Sequence, residues 1–304
     1  MDRILESKQL RTVFLVMTGF MLASAILVRW LAIGSTANAG AIREAIARIL
    51  DGFIASMIVT SAIGLVIYIG TREIRKASAQ IEVLPSSDIT RRFVEAQQKT
   101  RTWYFKGGLG RYFTSETIPN TLKNGGSGYR FRAYLVDPFN DTLCKYVANH
   151  RDNGQEGADI KIETLVTIAD FARNVHRKKV WVAEACCGLI DDFAPLRVDL
   201  TDEGVFITHD NATAPAMFYR HESPFYSSYE QELTTGPNSY KMIDVLGIVD
   251  AISRQGVNPS NVLDKTYAKA VLDEVTNRLG GEYKLLEAEI ESVALVAARR
   301  KSPY

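Results

Sequence analysis

The hydrophobic positions of this chain change their pattern near residue 76. Before it, two runs carry no charge: TVFLVMTGFMLASAILV (12–28) and GFIASMIVTSAIGLVIYIG (52–70). With their flanks, 10–32 and 50–70, each approaches the roughly 20 apolar residues that cross a ~30 Å hydrocarbon layer. The pattern predicts a transmembrane hairpin over 1–76, its two helices joined by a short loop at 34–48. A signal peptide cleaved near GSTANAGA (34–41) is the alternative for the first run, but it leaves the second unexplained.

Beyond residue 76 the apolar runs shorten and begin to alternate. IEVLP (81–85), TWYFKG (102–107), YRFRAYLVDP (129–138), KKVWVAEACCG (178–188) and APAMFYR (214–220) have strand character. Helical patterns fall between them: ITRRFVEAQQKT after the capping run Ser86-Ser87-Asp88, RYFTSETIPNTLKNG, TLCKYVANHR after Asp141, and a helix from about 160 to 176. FAPLRVDLTDEGVFITHD (193–210) is a hairpin about Thr201-Asp202-Glu203-Gly204. From Glu222 the pattern is mostly helical, ending in a helix with Leu285, Leu286, Ile290, Val293, Ala294 and Val296 on one stripe. The expected fold is therefore two N-terminal transmembrane helices, a cytosolic mixed-sheet α/β domain over 77–222 and a helical C-terminal extension over 223–304.

Charge refines this picture by its placement rather than its sum. Lys and Arg number 36 and Asp and Glu 35, a balance that gives no sign of a duplex nucleic-acid partner. Arg3, Lys8 and Arg11 precede the first run and Arg72, Arg75 and Lys76 follow the second, whereas the loop between carries Arg43 and Arg48. That bias places both termini on the cytoplasmic side of an inner membrane. Cys144, Cys186 and Cys187, few and odd in number, suit a reducing compartment. Arg29 and Asp51, at the outer ends of the runs, suit either snorkelling at the lipid interface or an ion pair between the two helices. Small residues such as Gly19, Ala23, Ser24, Ser61 and Gly64 would let hairpins pack closely, so a homo-oligomer in the bilayer is expected.

The candidate chemistry centres on TWYFKGGLGRYF (102–113), a strand that runs into a basic, glycine-rich turn. Ligands of α/β sheets collect where strands end. Lys106 and Arg111 flank backbone N–H groups that Gly107, Gly108 and Gly110 leave accessible to an anion. Arg132 lies one strand away, Asp137 closes the central strand, and Arg197 in the hairpin adds a fork-shaped donor. Together these residues form the expected site for a phosphate-bearing ligand. The competing reading pairs the cations with Asp137, Asp199 and Glu203. His150, His176, His209 and His221 are scattered, no two at metal-ligand spacing, and no motif calls for a cofactor.

The order of strands and helices through FRAYLVDP and VWVAEA to the hairpin LRVDLTDEGVFIT resembles half of a phospholipase D-like fold, whose hairpin carries H-x-K-x-x-x-x-D. With Asp202 at the motif's Asp, Arg197 falls at its Lys and Pro195 at its His. The resemblance implies phosphate affinity without catalysis, since proline is no nucleophile; no catalytic residue is assigned. Joined to two transmembrane helices, this arrangement is similar to bacterial two-transmembrane effectors of anti-phage signalling, in which a nucleotide second messenger binds a cytosolic sensor. The implied function is a membrane-anchored sensor whose ligand drives assembly of the hairpins. A membrane-anchored phosphodiesterase or nuclease, and a non-enzymatic scaffold, are the alternatives.

Overall fold

In the computed structural model the chain divides into two units, Met1–Ser78 and Ala79–Tyr304. The structure describes residues 81–151, 156–209, 211, 213–235, 240–281 and 283–300 of the second; of the first it describes 51–63 and residues 16, 19–21, 23, 24, 26–30, 40, 45, 48 and 49.

The first unit is helical where it is described, apart from residue 40. Arg29 donates through Nε and Nη2 to the Asp51 carboxylate, the second contact at 3.0 Å, so the ion-pair reading of these two residues is the one observed. Among the described residues no helix is long and apolar enough to cross a membrane. The stretch 51–63 rises about 20 Å at 1.5 Å per residue, short of a ~30 Å hydrocarbon layer. The remainder of the expected spans, within 10–32 and 50–70, lies outside the described residues. The transmembrane hairpin, the inner-membrane location with cytoplasmic termini, and the likeness to two-transmembrane anti-phage effectors are corrected accordingly. Each rested on spans that the described helices do not supply.

The second unit is mixed α/β. Its strands are β1 (Ile81–Leu84), β2 (Thr102–Lys106), β3 (Tyr129–Val136), β4 (Val182–Ile190), β5 (Leu196–Thr201), β6 (Gly204–His209), β7 (Ala216–Arg220) and β8 (Lys241–Asp244). They form one sheet in the order β1-β7-β6-β5-β2-β3-β4-β8. The pairs β2–β3 and β3–β4 are parallel, and the other neighbours are antiparallel. Parallel neighbours need long crossovers, and helices supply them here. A π-helical turn (Phe113–Thr117) and α2 (Ile118–Lys123) link β2 to β3; α3 (Asp141–His150) and α4 (Gly157–Arg177) link β3 to β4.

The strands alternate between two unequal cores. Trp103, Phe105, Phe131, Ala133, Phe206 and Phe218 enter the larger one, beneath α1 (Ser86–Lys99), α2 and α4. Tyr104, Tyr134, Val198, Leu200, Val205 and Ile207 enter a smaller one on the opposite face, closed by Tyr226 and Leu233 of α5 (Pro224–Thr235). Each large side chain so buried contributes roughly 1.5–3 kcal/mol. The segment expected as a helical extension does more than extend. It supplies the edge strand β8, and α6 (Val245–Arg254), α7 (Lys265–Arg278) and α8 (Glu287–Arg299) help bury α4, whose apolar positions are covered on several sides.

Candidate functional site

Strand β2 ends at Lys106, and the Gly107 N–H makes a last rung to the Tyr134 carbonyl at 3.2 Å. Leu109 is then buried in a small cluster with Val136, Val147 and Ile160, while Thr167 Oγ1 of α4 donates to the Leu109 carbonyl at 2.6 Å. Gly110 turns the chain back at φ +62°, a conformation that a side chain strains. A Cβ there would stand 2.9 Å from Leu135 Cδ2 and 3.0 Å from Thr167 Cγ2, so the turn is pressed against both β3 and α4. Helical structure begins at Arg111. Among the described residues the N–H groups of Gly108, Leu109 and Gly110 make no hydrogen bond. Consecutive unspent amides before a helix are the makings of an anion nest.

Arg197 stands beside this turn: a Cβ on Gly107 would lie 3.6 Å from its Cβ. Its guanidinium sits over three rings, 5.1 Å from the centroid of Phe93 and 5.2 Å from those of Phe105 and Tyr112. Nε and Nη2 donate to Asp199, the latter at 3.0 Å, and the Trp103 indole N–H donates to the same carboxylate at 2.8 Å. Asp199 is wholly buried. Paired and hydrogen-bonded on both oxygens, it avoids the penalty of an isolated buried charge and fixes the plane of Arg197. Nη1 has no hydrogen bond among the described residues. Beside it opens a cavity of about 400 Å³ lined by Ser86, Thr90 and Phe93 of α1, Tyr112, Thr208 and Asn211. Burial pushes the Tyr112 phenol up, so that hydroxyl stays protonated beside the cation.

The other expected residues go elsewhere. Lys106 and Arg132 lie on the opposite face of the sheet. Lys106 Nζ bonds Glu232 at 2.8 Å and Tyr240 at 3.4 Å. Arg132 pairs with Glu184 and caps the C-terminus of α5 through the carbonyls of Leu233 and Thr234, at 3.1 and 2.6 Å. Arg111 turns to Glu163, which it shares with Arg300 at the end of α8. Asp137 is fully buried; it accepts from the Phe139 N–H at 2.9 Å and from Lys241 Nζ at 2.6 Å, tying β8 to the end of β3. The structure thus sets Gly107 against Arg197, turns Gly108 toward Arg151 and Gly110 toward Leu135 and Thr167, and sends the side chains of Lys106, Arg111, Arg132 and Asp137 elsewhere.

Two residues at the turn escaped the sequence reading. Tyr112 lies within TWYFKGGLGRYF, but no spacing rule marks it as a wall for Arg197. Arg151 packs its guanidinium over Gly108, where a Cβ would stand 2.8 Å from its Nη2; nothing in the sequence around 151 signals that approach. Of the histidines, His150 stacks on Tyr146 and Phe193, His176 bonds Tyr267 and Ser253, His209 Nδ1 accepts from the Asn211 N–H, and His221 packs on Tyr226. None forms an ion pair with a carboxylate among the described residues.

No protein-family model matches the chain, and no curated protein matches it. Among solved structures, the archaeal chromatin protein TrmBL2, described as showing a novel mode of DNA binding, is similar at a TM-score of 0.30. The identity is 10%, over 66% of this chain and 68% of that one, and a likeness so slight carries no argument. The reading as a degenerate phospholipase D-like half-domain fused to a transmembrane hairpin is corrected. No family match supports it, the described helices provide no hairpin, and Asp202 serves the fold, accepting from the backbone N–H groups of Arg101 and Thr102 at 2.6 and 3.2 Å.

Proposed function

We propose that the α/β unit is a binding module for a small phosphate-bearing anion, held at the turn 107–110 with Arg197 as its anchor. The observation that carries this reading is the row of three unspent amides at Gly108, Leu109 and Gly110, following Gly107, which adjoins the Cβ of Arg197, a residue with one guanidinium nitrogen uncommitted. The aromatic wall of Phe93, Phe105 and Tyr112 lowers the local dielectric and strengthens each donor–anion contact. Asp199 cancels the net charge of Arg197, so recognition rests on directed hydrogen bonds more than on long-range attraction.

Titration calorimetry of the full-length protein with inorganic phosphate, pyrophosphate and simple phosphate monoesters tests this. Arg197→Lys keeps a charge for Asp199 and forfeits the fork, and a charge-assisted hydrogen bond is worth about 1.5–3 kcal/mol. Affinity is expected to fall about tenfold or more in that variant. Lys106→Ala, on the far face, leaves it unchanged. Absence of heat with every anion, or equal affinity in parent and Arg197→Lys, overturns the reading.

A further inference from the structure

A second cavity of about 400 Å³ shares no lining residue with the one at Arg197 and differs from it in kind. It is bounded by α2, the last turn of α4 and the 3₁₀ turn Lys179–Trp181. Its floor is apolar, formed by Pro119, Leu122 and the Trp181 ring. Its polar rim is Lys123, Arg177 and Lys178, with Asn174, and among the described residues no carboxylate lines it.

The state of these cations bears on what the cavity could hold. Lys106, Arg111, Arg132, Lys179, Arg197 and Lys241 each face a carboxylate. Among the described residues Arg177 makes no ion pair or side-chain hydrogen bond, and Lys123 bonds only the Asn120 side chain, at 2.8 Å. The Lys178 ammonium rests on the Trp181 ring, 4.3 Å from its centroid. The Trp181 indole N–H is likewise unspent among the described residues. Asn174 commits its amide nitrogen to the Thr114 carbonyl at 2.7 Å. A helix C-terminus favours cations in its last turn, which accounts for Arg177 and Lys178. Lys123 likewise closes the last turn of α2, so helix ends account for all three cations; they do not account for the apolar floor beneath them.

We infer that this cavity binds a small amphipathic anion, a flat apolar ring bearing a phosphate group, with the ring on the Trp181 side and the phosphate held by Arg177, Lys178 and Lys123. The lining offers donors to the anionic head and an aromatic face to the body, and a ligand with both parts satisfies both. Its volume falls within the range of small-molecule sites. The site is independent of the one at Arg197.

Trp181 is its own reporter. Trp103 is fully buried in the core, and subtraction of the Trp181→Phe signal removes every other tryptophan. Phenyl phosphate is expected to quench Trp181 emission saturably in the full-length protein, with inorganic phosphate and phenol each at least tenfold weaker. Arg177→Ala, an exposed change that disturbs no partner, is expected to weaken phenyl phosphate tenfold or more, and Arg197→Lys to leave it unaltered. Three results overturn the inference: no saturable quenching, quenching indifferent to both Arg177→Ala and Lys178→Ala, or equal affinity for inorganic phosphate, which removes the role given to the ring.

Discussion

A single methyl group separates two neighbouring glycines of the turn. At Gly110 a Cβ meets Leu135 and Thr167 at 2.9 and 3.0 Å, and φ is +62°. Strain in the left-handed region costs about 1–2 kcal/mol and overpacking adds roughly 1–3. At Gly108 the same methyl meets only the far end of the Arg151 side chain, and φ is not in that region. Gly110→Ala is therefore expected to lower urea stability by about 2 kcal/mol or more, while Gly108→Ala changes it by less than about 0.5. Equal stabilities would mean the turn is not clamped as described. The glycine cluster was legible in the sequence; the face chosen by each cation was not. Period-two alternation assigns faces, and Trp103, Tyr104 and Phe105 are aromatic in succession, so they erase the parity that would have sent Lys106 and Arg197 to opposite sides.

Most element boundaries could be read because their signals are local. The hairpin turns where Thr201-Asp202-Glu203-Gly204 marks it, but the expected caps shift: Asn140 rather than Asp141 caps α3, and Ser86, Ser87 and Asp88 lie inside α1, whose N-cap Pro85 offers no side-chain bond. Strand β8 could not, since four residues (KMID) carry too little pattern and pair with β4 only through a contact distant in sequence. Helix α4 shows what such distant packing does to a side chain. His176 Nε2 lies 3.0 Å from Ser253 Oγ, whose proton goes to the Val249 carbonyl, so Nε2 is the donor. Nδ1 then accepts from Tyr267 OH at 3.1 Å, and burial keeps that phenol protonated by pushing its pKa up. Burial, then the Lys179 charge, depress the imidazole, against a smaller opposite effect of Asp250. A depressed folded-state pKa means the unfolded chain binds more protons, so stability is lost as pH falls through the ordinary histidine value of about 6.5. The urea midpoint is expected to drop between pH 7.5 and 5.5, and His176→Gln to flatten that drop. An identical slope in the variant would assign the dependence to other groups.

At the scale of the whole chain, hydropathy is a property along one dimension, in which the charge-free runs before residue 76 outweigh the shorter apolar segments of the α/β unit. The structure gives that unit its own means of folding. Every buried side chain of the large core lies at or beyond Leu84, and the smaller core and the cluster under the turn likewise draw only on residues after 100. Among the described residues all eight strands belong to the second unit, β1 closing one edge of the sheet and β8 the other. Arg300, near its end, is anchored on Glu163, Asp170 and Thr167, the last of which holds the glycine turn through the Leu109 carbonyl. Nothing that shapes the turn or Arg197 comes from residues before 79 among the described contacts. A fragment of residues 79–304 is therefore expected to unfold in one cooperative transition and to bind phosphate with the affinity of the full chain, within about twofold, since contacts well separated from a site add independently. Cooperative unfolding with tenfold weaker binding would show that the first unit contributes to the site; a fragment without a cooperative transition would show that it contributes to the fold.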